Sequence, residues 1–294
     1  MKILWLVSFR PLKSSEINDF YQSLFVDSVK SLNEDITFSI TQFEEDNVKA
    51  FIEKKNLRSF FKNIPKKNLP NGKKYSNKIM LKYALDQCYE NDFDYLVYST
   101  ADIVVPNSLF KHVSNIKEKN FCALIYPNTH ITNGEVKNTF WPYYGIDLII
   151  FKISKSKLLK FREIIEHYNQ FDWGINENFY ISVCEKLNLK IFNLFKKVNV
   201  LKFENDFQAF KEDRSWQIKS WKENQKYFLN FLEKNNLSKL YAYGSYYYLL
   251  FKIFNFRDFS FKLALSYMIF YPYNFIKKIH NLIINLYKKT CKKF

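Results

Sequence analysis

The chain is predicted to be an α/β protein: a mostly parallel sheet flanked by helices, followed by a helical C-terminal extension rich in basic and aromatic residues. Three observations carry this expectation. Strand-like and helix-like segments alternate through the first half and beyond, the pattern that joins parallel strands through helical crossovers. The 294 residues, 47% of them hydrophobic, suffice to bury one large core and carry an appendage. From Lys239 the composition shifts to ten Lys or Arg against one Asp, a net +9, with aromatics crowded through 241–248 and 251–275. Residues 1–238 are therefore expected to form one α/β domain and 239–294 a basic aromatic tail. That tail either lies on an anionic membrane surface, where rings sit at headgroup level and lysines track phosphate, or packs back on the domain as core helices.

Each element follows from local pattern. Ile3 to Phe9 is an apolar run that reads as a buried opening strand, and Ile17 to Leu32 places Phe20, Leu24, Phe25 and Val29 near helical spacing after Ser14 and Ser15. Ile36 to Phe43 alternates as a second strand, and Glu44 to Lys55 reads as a helix. Arg58 to Lys74 is rich in Lys, Asn and Pro with Asn71-Gly72, which predicts a mobile loop, and Tyr75 to Tyr89 returns to a helical pattern. Asp94 to Asn107 is a buried strand ending in a polar turn. Chemistry in open α/β sheets collects at the carboxyl ends of strands, so Ser99 to Asp102 is the first place to look. A helix over Ser108 to Ile116, strands over Phe121 to Tyr126 and Tyr143 to Phe151, and an amphipathic helix over Ser154 to Tyr168 follow.

The net charge of +16 suggests an anionic partner: nucleic acid, anionic lipid or a phosphorylated substrate. A composition biased to Lys, Asn, Ile, Phe and Tyr produces the same total without selection for binding, so the distribution of charge matters more. Cys88, Cys122, Cys184 and Cys291 are far apart in sequence and form no zinc or redox spacing, which predicts buried or neutral thiols in a reducing compartment. The run Ile3 to Val7 is too short for a signal-peptide core, and Leu263 to Ile276 is short and broken by Pro272. A cytoplasmic protein is expected, peripheral on the inner face of the membrane if the tail binds lipid.

Four segments carry chemistry. Thr100-Ala101-Asp102-Ile-Val-Val-Pro106 closes a buried strand ahead of a helix; Tyr143-Tyr144-Gly145-Ile146-Asp147 opens a strand; Phe171-Asp172-Trp173-Gly174-Ile-Asn-Glu177-Asn178-Phe179 opens an apolar helix; Val198 to Phe203, with Lys202, comes later in the chain. In this order they resemble a GT-A type glycosyltransferase, of the bacterial sugar-nucleotide-dependent kind that builds surface polysaccharide or lipooligosaccharide. The resemblance covers roughly residues 1 to 235.

It implies a GT-A, Rossmann-like fold and roles for particular residues. The family's Asp-x-Asp turn keeps only its second acid here, Asp102. That residue would hold a divalent ion, Mn or Mg, against the donor diphosphate, with Ser99 and Thr100 beside it. Thr100 is a poorer ligand for a hard cation than Asp, so either Asp102 binds the ion with water and phosphate or the metal has been dispensed with. Lys202 stands where many members have a metal-binding His, and its ammonium would neutralise donor phosphate directly. The family's Trp-Gly-x-Glu-Asp acceptor segment corresponds to Trp173, Gly174, Glu177 and Asn178. Glu177, or second Asp172, would take the proton of the acceptor hydroxyl in an inverting transfer. Trp141, Tyr144, Gly145 and Asp147 would meet the sugar, Gly145 because it lacks a Cβ.

Plainer roles exist for the same residues: Asp102 as a turn residue, Asp172 as an N-cap, Glu177 as an acid in a helix first turn, Lys202 as a solvated lysine. The implied partners are a nucleotide-sugar donor, a saccharide or lipid-linked acceptor and an anionic membrane surface, with no nucleic acid. The alternatives are an inactive sugar-binding relative, favoured by the missing first acid and by Asn178, and a basic nucleic-acid-binding protein, which lacks any recognised reader motif.

Overall fold

The computed structural model describes residues 1–9, 16–46, 48–64, 77–132, 134–138, 146–167, 176–195, 197–204 and 225–243. Its main sheet has seven strands in the order β10-β6-β9-β4-β1-β2-β3. The central strands are β1 (Lys2–Ser8), β2 (Asp35–Phe43) and β4 (Tyr95–Thr100), with β6 (Phe121–Ile125) and β9 (Leu148–Lys152) beside them. β1 pairs in parallel with β2 and β4, whereas β9 runs antiparallel between β4 and β6. Helices α1 (Glu16–Lys30), α2 (Val48–Lys54), α3 (Asn77–Asn91), α4 (Leu109–Ser114), α5 (Lys155–Glu166) and α6 (Asn176–Lys186) alternate with the strands. Ile3 through Val7 are all 0% exposed, which explains why β1 reads as an unbroken apolar run rather than an alternating one.

Both edge strands of the main sheet are absent from the sequence reading, as are β7 (Thr129–Thr132) and β8 (Glu135–Asn138), which fall in a stretch read as a connection. β3 (Ser59–Ile64) lies inside the stretch expected to be loop and pairs in parallel with β2. Its Lys62 and Asn63 are exposed, so its composition resembles that of the flanking loop; an edge strand needs a partner's ladder more than a hydrophobic pattern. β10 (Lys190–Asn193) pairs with β6 at the opposite edge.

The expected strand over Asp94 to Asn107 is broken at Ala101-Asp102. Beyond the break, β5 (Ile103–Val104) joins a second sheet of order β5-β11-β7-β8, with β7 (Thr129–Thr132), β8 (Glu135–Asn138) and β11 (Leu201–Glu204). Gly134, at φ 79°, turns the β7–β8 hairpin. α1 packs toward this sheet, with the Tyr21 and Phe203 rings stacked at 4.1 Å, and the Ser28 hydroxyl accepts the Val105 N–H at 3.2 Å.

Three helix ends in this glycine-poor chain use asparagine in the left-handed conformation. Asn56, Asn188 and Asn236 follow helices at φ 47°, 50° and 53°. In each case the next residue, a leucine, donates its N–H back across the last turn: Leu57 to Ile52 O, Leu189 to Cys184 O and Leu237 to Leu232 O. This is the Schellman arrangement, with Asn in the left-handed position usually taken by Gly.

The expected domain division at 238/239 falls within a segment packed on α6. Helical residues 225–234 contribute Phe228 and Phe231, both 0% exposed, and Phe231 meets Phe179 at 5.2 Å. α7 (Leu240–Tyr243) brings in Tyr241, also 0% exposed, whose hydroxyl donates to Glu185. Asn178 Nδ2 donates to Tyr241 O at 2.7 Å, and Gln225 Nε2 to Ala242 O at 3.0 Å. The chain's two compact units are Met1–Leu249 and Leu250–Phe294, and the second lies outside the described residues. Among the described residues no helix is long and apolar enough to cross a membrane.

Candidate functional site

The carboxyl end of β4 is where the two sheets meet, and the meeting is set by register. β9 runs antiparallel to β4 with Leu148 opposite Ser99, so Asp147, one residue earlier, comes level with Thr100. The Thr100 N–H donates to Asp147 O at 3.2 Å and its hydroxyl to Asp147 Oδ1 at 3.4 Å. Past the break, β5 pairs with β11 so that Ile103 faces Lys202, and the Phe203 N–H donates to Asp102 O at 2.9 Å. β7 lies on the other side of β11 with His130 opposite Lys202. Four chain segments thereby converge on Thr100, Asp102, His130, Asp147 and Lys202.

The electrostatics are dominated by one ion pair. Lys202 Nζ donates to Asp147 Oδ1 at 2.5 Å, with side-chain exposures of 17% and 7%. Burial pushes the Asp147 carboxyl above the ordinary aspartate range. The Lys202 ammonium opposes that shift, the Asp102 carboxylate adds to it, and His130 exerts the smallest opposing pull. Asp102 is half-buried and His130 is 2% exposed, so these groups interact through protein rather than through bulk water.

The other expected residues fall as follows. Ser99 is 1% exposed and accepts the Trp5 indole N–H at 2.8 Å, so its hydroxyl satisfies a buried donor of the core and faces away from the charged group. Asp147, expected at the acceptor, stands with Thr100 and Lys202, the residues expected at the donor. Glu177 lies in the first turn of α6, and its side chain is outside the described residues; Asp172, Trp173, Gly174, Trp141, Tyr144 and Gly145 are outside them entirely. Asn178 holds α7 through Tyr241, a structural reason for an amide at that position.

Sequence reading missed His130, because only the pairing of β7 with β11 brings it to Lys202. It also missed Gln42, at the carboxyl end of β2, whose Nε2 donates to Phe9 O at 2.8 Å and Asp46 Oδ2 at 2.7 Å. Cys122 on β6 and Cys184 on α6, distant in sequence, are neighbouring buried free thiols, and burial holds the Cys122 thiol well above its ordinary pKa.

The donor set does not suit the divalent ion that the resemblance implies. One of the two carboxylates is engaged by an ammonium, and among the described residues no group of three His, Cys, Asp or Glu is placed to hold a metal ion.

No family model matches the sequence, and no curated protein matches it. Solved structures do resemble it. The crystal structure of S. aureus TarS 1–349 in complex with UDP-GlcNAc aligns with a TM-score of 0.52 at 11% identity, covering 82% of this chain and 69% of that one. The inositol-1-phosphate CTP transferase from T. maritima aligns with a TM-score of 0.41 at 13% identity, covering 81% and 98%. The first likeness shows the architecture: this chain has a GT-A-like fold.

Proposed function

Taking the GT-A-like fold as premise, we propose that this chain moves a sugar from a nucleotide-sugar donor to a saccharide or lipid-linked acceptor in cell-surface glycan synthesis. The observation that carries the reading is the buried charged group at the carboxyl end of β4, where Asp102, Asp147 and Lys202 come together. The TarS structure of similar fold is a complex with UDP-GlcNAc, which supports a nucleotide-sugar ligand. Fold alone does not specify chemistry, and the site supplies the rest of the argument.

In this reading the donor diphosphate lies against Lys202. The acceptor hydroxyl attacks the anomeric carbon on the face opposite the nucleotide. The new C–O bond forms as the bond to the diphosphate oxygen breaks, and that electron pair leaves with the nucleoside diphosphate. Lys202 remains protonated and stabilises the charge gathering on the leaving oxygen. Glu177, or failing it Asp172, accepts the acceptor's proton; Trp141, Tyr144, Gly145, Trp173 and Gly174 receive the acceptor sugar. The basic tail holds the enzyme at an anionic membrane where lipid-linked acceptors reside.

The test is a panel of sugar nucleotides screened by thermal stability, followed by product analysis with saccharide acceptors. One donor should raise the melting temperature and release its nucleoside diphosphate only when acceptor is present. Pyrophosphate released from a nucleoside triphosphate and a sugar phosphate would replace glycosyl with nucleotidyl transfer, and a panel without any binder would remove both.

A further inference from the structure

Position 100 carries no carboxylate in the sequence, yet one stands beside it in space. Asp147, delivered by the antiparallel pairing of β9 with β4, accepts the Thr100 hydroxyl at 3.4 Å and lies close enough to Asp102 to feel its charge. The carboxylate pair that Thr100-Ala101-Asp102 lacks along the chain is therefore completed from a neighbouring strand. Two like charges in a site where one is 5% exposed destabilise each other unless a cation lies between or beside them. The structure provides that cation covalently: the pairing of β11 with both β5 and β7 brings Lys202 to Asp147 at 2.5 Å.

We propose that the Lys202 ammonium, positioned by Asp147, is the built-in cation of the diphosphate site, that diphosphate binding is independent of divalent metal, and that Asp102 and Asp147 become a divalent-cation site once the ammonium is removed. This rests on the nucleotide-sugar reading above. An ammonium has three donors and is a compact point charge, so it serves one carboxylate and a phosphate oxygen together. An ionised carboxylate only accepts hydrogen bonds, so Asp102 meets the hydroxyls of the donor's sugars and leaves the phosphates to Lys202. Lys202 is then a residue that touches substrate, and Asp147 a positioning residue that acts through it.

The experiment uses the full chain and its Lys202→Met, Asp147→Asn and Lys202→Met/Asp147→Asn variants, probed with UDP, GDP and inorganic pyrophosphate in EDTA or in Mn2+. Wild type should bind the best of these probes equally in EDTA and in Mn2+. Lys202→Met should lose roughly 10- to 100-fold in EDTA, the scale of one charge-assisted hydrogen bond, and regain affinity in Mn2+. Without any diphosphate, paramagnetic resonance should show Mn2+ bound by Lys202→Met but not by wild type or by the double variant. Asp147→Asn should weaken diphosphate binding while leaving it indifferent to Mn2+.

Wild-type binding that requires Mn2+ overturns the proposal and needs no variant to read. Undiminished binding by Lys202→Met in EDTA, or equal Mn2+ binding by wild type and Lys202→Met, overturns it as well. Failure of every diphosphate under every condition removes the transferase reading and the diphosphate role with it. The Mn2+ signal of ligand-free Lys202→Met separately decides whether the ammonium stands in for a metal.

Discussion

At the scale of residues, burial decides which ionisable groups are chemically available. Lys202 and Asp147 lie in the interior and hold each other, so the Lys202 ammonium opposes the rise that burial imposes on the Asp147 carboxyl. Cys88 shows the opposite outcome. It is 4% exposed on α3, and burial, assisted by the charge of Asp92, pushes its thiol up to about 12. A thiol that stays protonated is a poor nucleophile, so Cys88 should resist alkylation in the native protein at about pH 8 and react on unfolding. The same shift has a signed consequence for stability. From pH 9 to about 12 the unfolded chain releases this proton and the folded chain retains it, so stability falls as pH rises through that window. The margin of wild type over Cys88→Ala should shrink by about 2 kcal/mol between pH 9 and 11. Melting curves across that range measure it; a constant margin would mean the thiol ionises as readily folded as unfolded.

At the scale of elements, register and helix termination position the site. α6 carries Glu177 at its start and Cys184 against β6, and it ends at Asn188, an exposed residue at φ 50°. The left-handed position crowds a Cβ against the neighbouring carbonyl, a strain that Asn offsets in part through local hydrogen bonding and Gly avoids. Asn188→Ala should therefore lose about 1 kcal/mol and Asn188→Gly should match or exceed wild type. Denaturant unfolding separates them, and an Ala variant as stable as the Gly variant would remove backbone strain as the reason for Asn at these ends.

At the scale of the whole molecule, the first compact unit reaches further along the chain than composition suggests. Tyr241 is a fully buried side chain, so cutting before Lys239 removes part of the core along with the tail. A truncation after Leu249 follows the boundary between the compact units. If the basic tail docks on lipid, with about 1 kcal/mol from each Lys or Arg near the surface, this truncation should release the protein from anionic liposomes. Activity on a soluble acceptor should persist. Binding of the full chain should weaken with salt and vanish on neutral lipid. Liposome binding that ignores both lipid charge and salt would end the membrane reading.

Much of this architecture is legible in the chain alone, because β1, β4 and β6 are buried on both faces and read as short apolar runs, β2 alternates between apolar and polar residues, and α1 and α5 show their buried stripe at helical spacing. The end of β4 as the place of chemistry follows from the same pattern, since a polar turn after a buried strand marks a carboxyl end. The edge strands β3 and β10 escape that reading because a half-exposed strand owes its stability to a partner's ladder and not to its own composition. Asp102 and Lys202 are visible as single residues. That Asp147 belongs beside Thr100, that His130 faces Lys202, and that Ser99 belongs to Trp5 follow only from the pairing of β9 with β4, of β7 with β11 and of β1 with β4. Sequence determines which strands exist through local periodicity. Which charges become neighbours is settled by non-local register, where a shift of one residue turns every side chain to the other face.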